Sequence, residues 1–114
     1  LIACDTAKNG VARIGGLQPP KFDHTESTFE ELKARIAKTR EWLQTVPADA
    51  LDGKEDQDVT FPVGREATRT MKAGAYLKLH VLPNFFFHVT TAYAILRHNG
   101  VELGKLDFLA GKAR

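Results

Sequence analysis

Apolar residues recur every three or four positions at the start of the chain. They are Leu1, Cys4, Ala7, Val11 and Ile14. This spacing places them on one face of a helix. Gly15-Gly16 follows and supplies the left-handed backbone at which many helices end. The pattern therefore predicts an amphipathic helix over Leu1 to Ile14, followed by a loop because Pro19-Pro20 excludes helix.

The same spacing returns after Thr28, where a second amphipathic helix is predicted. Thr28 is suited to cap its N-terminus, and Glu31, three residues on, is placed to complete a capping box. Pro47 ends the helical pattern. The apolar positions of this helix are Phe29, Leu32, Ile36, Leu43 and Val46.

The next segment alternates between apolar and other residues, as a half-buried strand does. Val59, Phe61 and Val63 carry the alternation, and Gly64-Arg65 can turn the chain into a second strand over residues 67–71. Pro62 confines its strand to a sheet edge because it has no N–H to donate. We predict a small β-hairpin.

From Ala73 to His98 the chain is again helical in character. Pro83 lies inside this stretch and predicts a kink or a break. Asn99-Gly100 ends the helix. The tail beyond it is predicted to fold back on the helices through Val101, Leu103, Leu106, Phe108 and Leu109.

The predicted fold is all-α: one domain over residues 1–114, an up-and-down four-helix bundle with a β-hairpin before its last helix. The chain supplies three long helices, and the helical pattern is already established at Leu1. We expect the remaining apolar stripe to lie upstream of Leu1 or to come from another chain, because uncovered apolar surface costs about 25 cal/mol per Å². A homodimer is the expected assembly.

Composition excludes several classes of protein. Hydrophobic residues make up 43% and charged residues 26%, and 16 basic residues are interleaved with 14 acidic ones for a net charge of +2. Without a basic block we expect no nucleic-acid partner. No run approaches about 18 consecutive apolar residues and no signal peptide is evident, so we expect no membrane partner and a cytoplasmic location. Cys4, the single cysteine, is predicted to be a structural thiol.

The candidate chemistry lies in "PNFFFHVTTAYAILRHNG", residues 83–100. His80, Asn84 and His88 are four apart and would share one face of an unbroken helix. Asn84 is predicted to satisfy the carbonyl that Pro83 frees. His88 is interpreted either as a buried neutral imidazole with one hydrogen-bond partner or as part of an aromatic-lined pocket for a small molecule. The candidate ligand-pocket residues are His88, Asn84, His80, Tyr93 and Thr91, and none is assigned a catalytic role.

The segment "PNFFFHVTTAYAILRHNGVELGKLDFL" resembles the C-terminal signature of a domain-of-unknown-function family in the DinB/YfiT-like superfamily. "ACDTAKN", "PPKF", "TFEEL" and "VTFPVG" fall in the same order in that family. The resemblance therefore covers nearly the whole chain. It implies a member that begins partway into the second helix and lacks the first.

The superfamily resemblance also implies a place for a metal site, made by one histidine on the second helix and two on the last. His88 corresponds to the last ligand, but Asn84 stands where the preceding histidine would be, and residues 1–9 contain no histidine. We therefore expect no metal cofactor, and a non-catalytic protein that binds a small molecule or a partner. The alternative is a metal-dependent thiol transferase-like or hydrolase-like enzyme, holding Zn or Ni with His88 and substitutes among Asn84, Asp5 and Cys4.

Overall fold

The computed structural model describes residues 1–111, which are mostly helical. The residues 112–114 at the end of the predicted tail lie outside the described part. The helices are α1 (Ile2–Gly15), α2 (Phe29–Thr45), α3 (Ala73–Tyr76), α4 (Leu82–His98) and α5 (Lys105–Ala110), with a π-helical turn (Leu77–Val81) between α3 and α4. The strands β1 (Asp58–Val63) and β2 (Ala67–Lys72) precede α3.

The ends of α1 and α2 confirm the local sequence signals. Gly16 follows α1 with φ 65° and donates its N–H to the Ala12 carbonyl. At the start of α2, the Thr28 hydroxyl accepts from the Glu31 N–H at 3.2 Å, and the Glu31 carboxylate accepts from the Thr28 N–H at 2.9 Å. This is the predicted capping box.

The predicted hairpin forms, with β1 and β2 antiparallel and Phe61 paired with Arg69. Val59 and Phe61 are buried, whereas Val63 is exposed. Gly64 has φ 69° and occupies the turn between the strands. The alternation in the sequence therefore identifies the face of the hairpin that packs on the helices.

Pro83 does not end the last long helix. The interruption that it predicts is a π-helical turn before it, in which the Leu82 N–H bonds the Leu77 carbonyl. Pro83 then lies in the first turn of α4, where a missing N–H costs little. The backbone thus accommodates the proline and the chain remains helical from Ala73 to His98.

The buried core lies at the hairpin end of the molecule. Its members are Ile14, Val59, Phe61, Ala73, Tyr76 and Val81, with Leu51, Met71 and Leu77 packed against them. Gly10 lets α1 approach the π-helical turn closely, because a Cβ there would lie 2.6 Å from Val81 Cγ1. In contrast, α4 contributes no buried residue.

The packing of α2 reverses the usual arrangement of an amphipathic helix. Its buried residues, Arg35 and Thr39, are polar. Its apolar residues are open, with Phe29 69% and Ile36 50% exposed. The apolar stripe predicted from the sequence therefore exists, but within the described residues it is left largely uncovered.

The stretch Ala73–His98 also carries much exposed apolar surface. It is 26 residues long and contains an 18-residue window with a mean hydropathy of 1.2, so by length and composition alone it is sufficient to cross a membrane. One such helix is weak evidence for a membrane span. Only 6% of its most apolar window is buried in the described structure, so this helix has apolar surface available for a partner.

The tail folds back less than predicted. Phe108 of α5 meets Tyr93 of α4 edge to face, with ring centroids 5.6 Å apart. Leu106 and Leu109 remain 75% and 67% exposed. The prediction that all the apolar residues of the tail pack on the helices is therefore wrong, because α5 is short and places only Phe108 against an aromatic partner.

Candidate binding groove

An open apolar groove runs between α1, α2 and α4 and has a volume of about 870 Å³. We call it the apolar groove. Cys4 and Ala7 of α1, Phe29, Leu32, Ile36 and Leu43 of α2, and Phe85, Val89, Ala92 and Leu96 of α4 line it, and Phe108 of α5 also contributes. It has the size of a ligand site.

Three of the five sequence-predicted site residues, His88, Thr91 and Tyr93, line the apolar groove. His80 and Asn84 lie elsewhere. His88 is half-buried, forms no hydrogen bond within residues 1–111, and meets the Phe87 ring edge to face at 5.1 Å between centroids. The interpretation of His88 as a buried imidazole with a hydrogen-bond partner is therefore wrong, since the groove leaves its ring partly open.

Asn84 connects two helices. Its side-chain N–H donates to the Thr6 hydroxyl at 3.2 Å, which links α4 to α1. The prediction that Asn84 satisfies a carbonyl freed by Pro83 is wrong, because the π-helical turn adjusts the backbone before the proline.

His80 packs against the core at the hairpin end. Its ring lies 4.5 Å from the Phe61 ring and stacks on Tyr76 at 5.4 Å between centroids. Burial lowers the pKa of His80, and the charges of Arg13 and Arg69 lower it further. His80 lies within the π-helical turn, which breaks the regular four-residue spacing before α4, so His80 does not share a site with His88.

The lowered pKa of His80 predicts that the protein loses stability as the pH falls below about 6.5, the ordinary pKa of histidine. In that range the unfolded chain binds a proton at His80 that the folded protein does not. We expect His80→Gln to flatten the pH dependence of the free energy of unfolding, measured by urea denaturation between pH 5 and 8. His98→Gln, at the exposed end of α4, should leave that dependence unchanged. An equal slope in wild type and His80→Gln would contradict this assignment.

Tyr93 lines the groove and carries a polar atom. Its hydroxyl is buried and has no hydrogen-bond partner within the described residues. Buried hydroxyls are normally paired. The Tyr93 hydroxyl thus has an unused donor and acceptor.

Beside the groove lies an ionic cluster that the sequence did not reveal. The Arg35 side chain is only 2% exposed. One guanidinium nitrogen donates to the Asp23 carbonyl at 3.0 Å and to Glu26 Oε1 at 2.7 Å, and the other donates to Asp5 Oδ1 at 3.0 Å. The Phe22 ring lies 4.5 Å from the guanidinium. We call this the Arg35 cluster. It joins α1, α2 and the loop between them.

Asp5 receives two further contacts in this cluster. His24 Nε2 lies 2.7 Å from Asp5 Oδ2, and Lys8 Nζ lies 3.4 Å from Asp5 Oδ1. Burial alone would raise the pKa of Asp5, but hydrogen bonds from Arg35 and His24 and the charges of Lys8 and Arg35 outweigh it, so the pKa is lowered. No sequence motif pairs His24 with Asp5, because the loop has to fold back over α1 before this contact exists.

The residues considered as substitute metal ligands are not assembled into a site. Both carboxylate oxygens of Asp5 are held in the Arg35 cluster. Asn84 bonds Thr6, while Cys4 and His88 line the groove. Within residues 1–111, no three His, Cys, Asp or Glu side chains are grouped so as to hold a metal ion. These donors therefore do not fit a three-ligand metal site.

Comparison with known families matches residues 1–109 to DUF1993, a domain of unknown function. The chain belongs to the DUF1993 family. The DUF1993 chain is also similar to the crystal structure of a DinB family member from Shewanella denitrificans, with 40% sequence identity and a TM-score of 0.84. The resemblance stated from the sequence is thus confirmed, and the fold is DinB-like.

The similarity covers 99% of this DUF1993 chain but 62% of the Shewanella protein, so the chain spans about three-fifths of the length of that relative. A search of curated proteins gave no match. The family and the DinB-like fold of this chain are therefore established, and the groove is the feature that bears on its function.

Proposed function

We propose that this DinB-like domain is a non-catalytic binding module that has lost the three-histidine metal site of its superfamily, and that the apolar groove is its binding surface. The observation that carries this proposal is the groove itself, an open cavity of about 870 Å³ with mainly apolar walls. Exposed apolar surface of this extent marks ligand or partner sites.

Completion of a four-helix bundle is part of the proposal. α1 packs against both α2 and α4, and the groove runs along these three helices. In a bundle each helix buries an apolar stripe against two neighbours. A fourth helical element in the groove would cover the open stripe of α2 and the groove-facing side of α4.

The rival function is metal-dependent thiol chemistry centred on His88. It requires further ligands close to that ring, whereas Asp5 is held by Arg35, His24 and Lys8. Asn84 is bonded to Thr6. The engagement of these side chains supports the binding role over the rival.

Binding of a neutral solvatochromic dye, Nile red, tests the groove. We expect saturable binding to the purified protein and at least a tenfold loss of affinity in Val89→Glu, which places a charge in the groove wall. Thr90→Glu, at the next position and outside the groove lining, is the matched control and should bind as wild type. Equal affinity in all three proteins would refute the groove as the binding surface.

Elemental analysis of the same samples tests the rival. The binding role predicts no stoichiometric zinc or nickel. Suppose instead that the protein binds one equivalent of either metal and that His88→Ala loses it while retaining helicity. That result would refute the binding role and support the metal-dependent enzyme.

A further inference from the structure

A second cavity lies between the loop before α2 and the first half of that helix, and we call it the polar cavity. It has a volume of about 300 Å³, which is sufficient for a small molecule. Its lining shares only Arg35 with the apolar groove. Six of its lining residues are charged, three of each sign. They are Lys21, Arg35 and Lys38, and Asp23, Glu26 and Glu31.

The ion pair between Arg35 and Glu26 leaves one polar atom of each side chain unused. Arg35 Nη1 donates to Glu26 Oε1 at 2.7 Å. Arg35 Nε and Glu26 Oε2 are buried and have no hydrogen-bond partner among residues 1–111, although buried polar atoms are normally paired. Because each unused atom belongs to the same planar group as a paired one, the two lie at most about 7 Å apart. One small molecule with both an N–H and an acceptor oxygen can therefore span them.

The other charges of the polar cavity differ in how far they are already used. The Glu31 carboxylate is taken up by the capping box of α2. Lys21 and Lys38 are exposed and form no ion pair with any residue that the structure describes. Asp23 is also exposed and gives only its backbone carbonyl to Arg35. The cavity thus offers free groups of both signs to a ligand.

We propose that the polar cavity binds a small zwitterion of the free amino acid class. Its ammonium group donates to Glu26 Oε2, and its carboxylate accepts from Arg35 Nε and lies beside Lys21 and Lys38. A lining with equal numbers of the two charges favours a molecule that carries both over a simple anion or cation. The site is distinct from the apolar groove, so this inference goes beyond the proposed binding function.

Glu26 is suited to receive an ammonium group. The pKa of its carboxyl is lowered, first by a hydrogen bond from its own backbone N–H and further by Arg35, against the effect of burial. The side chain is therefore an anion at neutral pH. Both of its oxygens are acceptors in that state, and only Oε1 is used by Arg35.

Three probes of similar size test the need for both charges. L-Serine carries an ammonium group and a carboxylate, ethanolamine lacks the carboxylate, and L-lactate lacks the ammonium group. Isothermal titration calorimetry measures their binding to the whole chain. We expect saturable binding of L-serine and at least tenfold weaker binding of the other two, because each of them leaves one of the unused atoms unpaired. Equal binding of all three, or no binding of L-serine at millimolar concentration, would overturn the proposal.

Two lysines on α2 provide a matched pair of variants. Lys38 lines the polar cavity, whereas Lys33 does not, and both are exposed. Lys38→Gln should weaken L-serine binding at least threefold, and Lys33→Gln should bind as wild type. An equal loss in both variants would show that overall charge, and not the cavity, attracts the probe, and the proposal would fail.

Glu26→Gln tests the ammonium contact. It should bring the affinities for L-serine and L-lactate within about threefold of each other, since an amide lacks the charge that distinguishes them. Retained preference for L-serine in folded Glu26→Gln, checked by circular dichroism, would contradict the assignment. Val89→Glu, which blocks the apolar groove, should leave L-serine binding unchanged, so failure of this inference and failure of the proposed function are separate results.

Discussion

Replacing Phe61 with alanine should lower the free energy of unfolding by about 4 kcal/mol. The Phe61 side chain is 1% exposed and joins the hairpin to the helices, with its ring 4.6 Å from Tyr76 and 4.5 Å from His80 between centroids. Alanine would remove these contacts and leave a cavity in a core that has few buried members. Urea denaturation followed by circular dichroism measures the change.

Val63→Ala is the matched control for Phe61→Ala, because Val63 belongs to the same strand but is 46% exposed. It should change the free energy of unfolding by about 0.5 kcal/mol or less. Equal losses of stability in the two variants would show that the hairpin stabilises the fold through its backbone pairing. The assignment of Phe61 to the core would then be wrong.

Arg35→Ala should cost about 3 kcal/mol of stability. The arginine is almost fully buried and supplies the hydrogen bonds that Asp5 and Glu26 receive between α1, α2 and their loop. Its removal leaves two carboxylates without their main partner. Chemical denaturation measures the loss, and Lys38→Ala on the exposed side of α2 should stay within about 0.5 kcal/mol of wild type.

The same substitution should alter the response of the protein to acid. A backbone hydrogen bond is the largest cause of the lowered pKa of Glu26, and Arg35 lowers it further; hydrogen bonding and charge from Arg35 also help to lower the pKa of Asp5 against the effect of burial. A carboxylate whose pKa is lowered by folding adds stability above its unfolded pKa, and that contribution is lost as the pH falls through its folded pKa. Wild type should therefore lose stability below about pH 4.5, near the ordinary pKa of a carboxylate, and Arg35→Ala should lose less over that range. An unchanged acid profile would show that Arg35 does not hold these carboxylates.

Local signals in the sequence were sufficient for the end of α1, the start of α2 and the hairpin. Thr28 and Glu31 form the predicted capping box, Gly16 ends α1, and Phe61 lies on the buried face of the predicted hairpin. Each of these features is decided by residues within a few positions of one another. The family was also recognisable, because its C-terminal segment is distinctive over many consecutive residues.

The arrangement of the groove could not be predicted from local sequence signals. Periodicity gave the apolar stripe of α2 but not the direction that it faces, which depends on Arg35 reaching Asp5, 30 positions earlier. Likewise, the spacing of His80 and His88 suggested a shared face, and the π-helical turn that contains His80 changes the register. Contacts between distant segments and a non-standard helical turn leave no periodic signal that sequence reasoning can detect.

The helix α2 is held to the rest of the domain by its buried polar residues Arg35 and Thr39, and its apolar residues are left open. This arrangement affects how related domains diverge. Since Phe29 and Ile36 are largely exposed, substitutions there cost the isolated domain little folding energy. Under the proposed binding function, mutational drift at these positions is constrained by the bound molecule and hardly by the need to fold. On that proposal, relatives that retain the Asp5–Arg35 pair can differ in specificity while they keep the same attachment of α2.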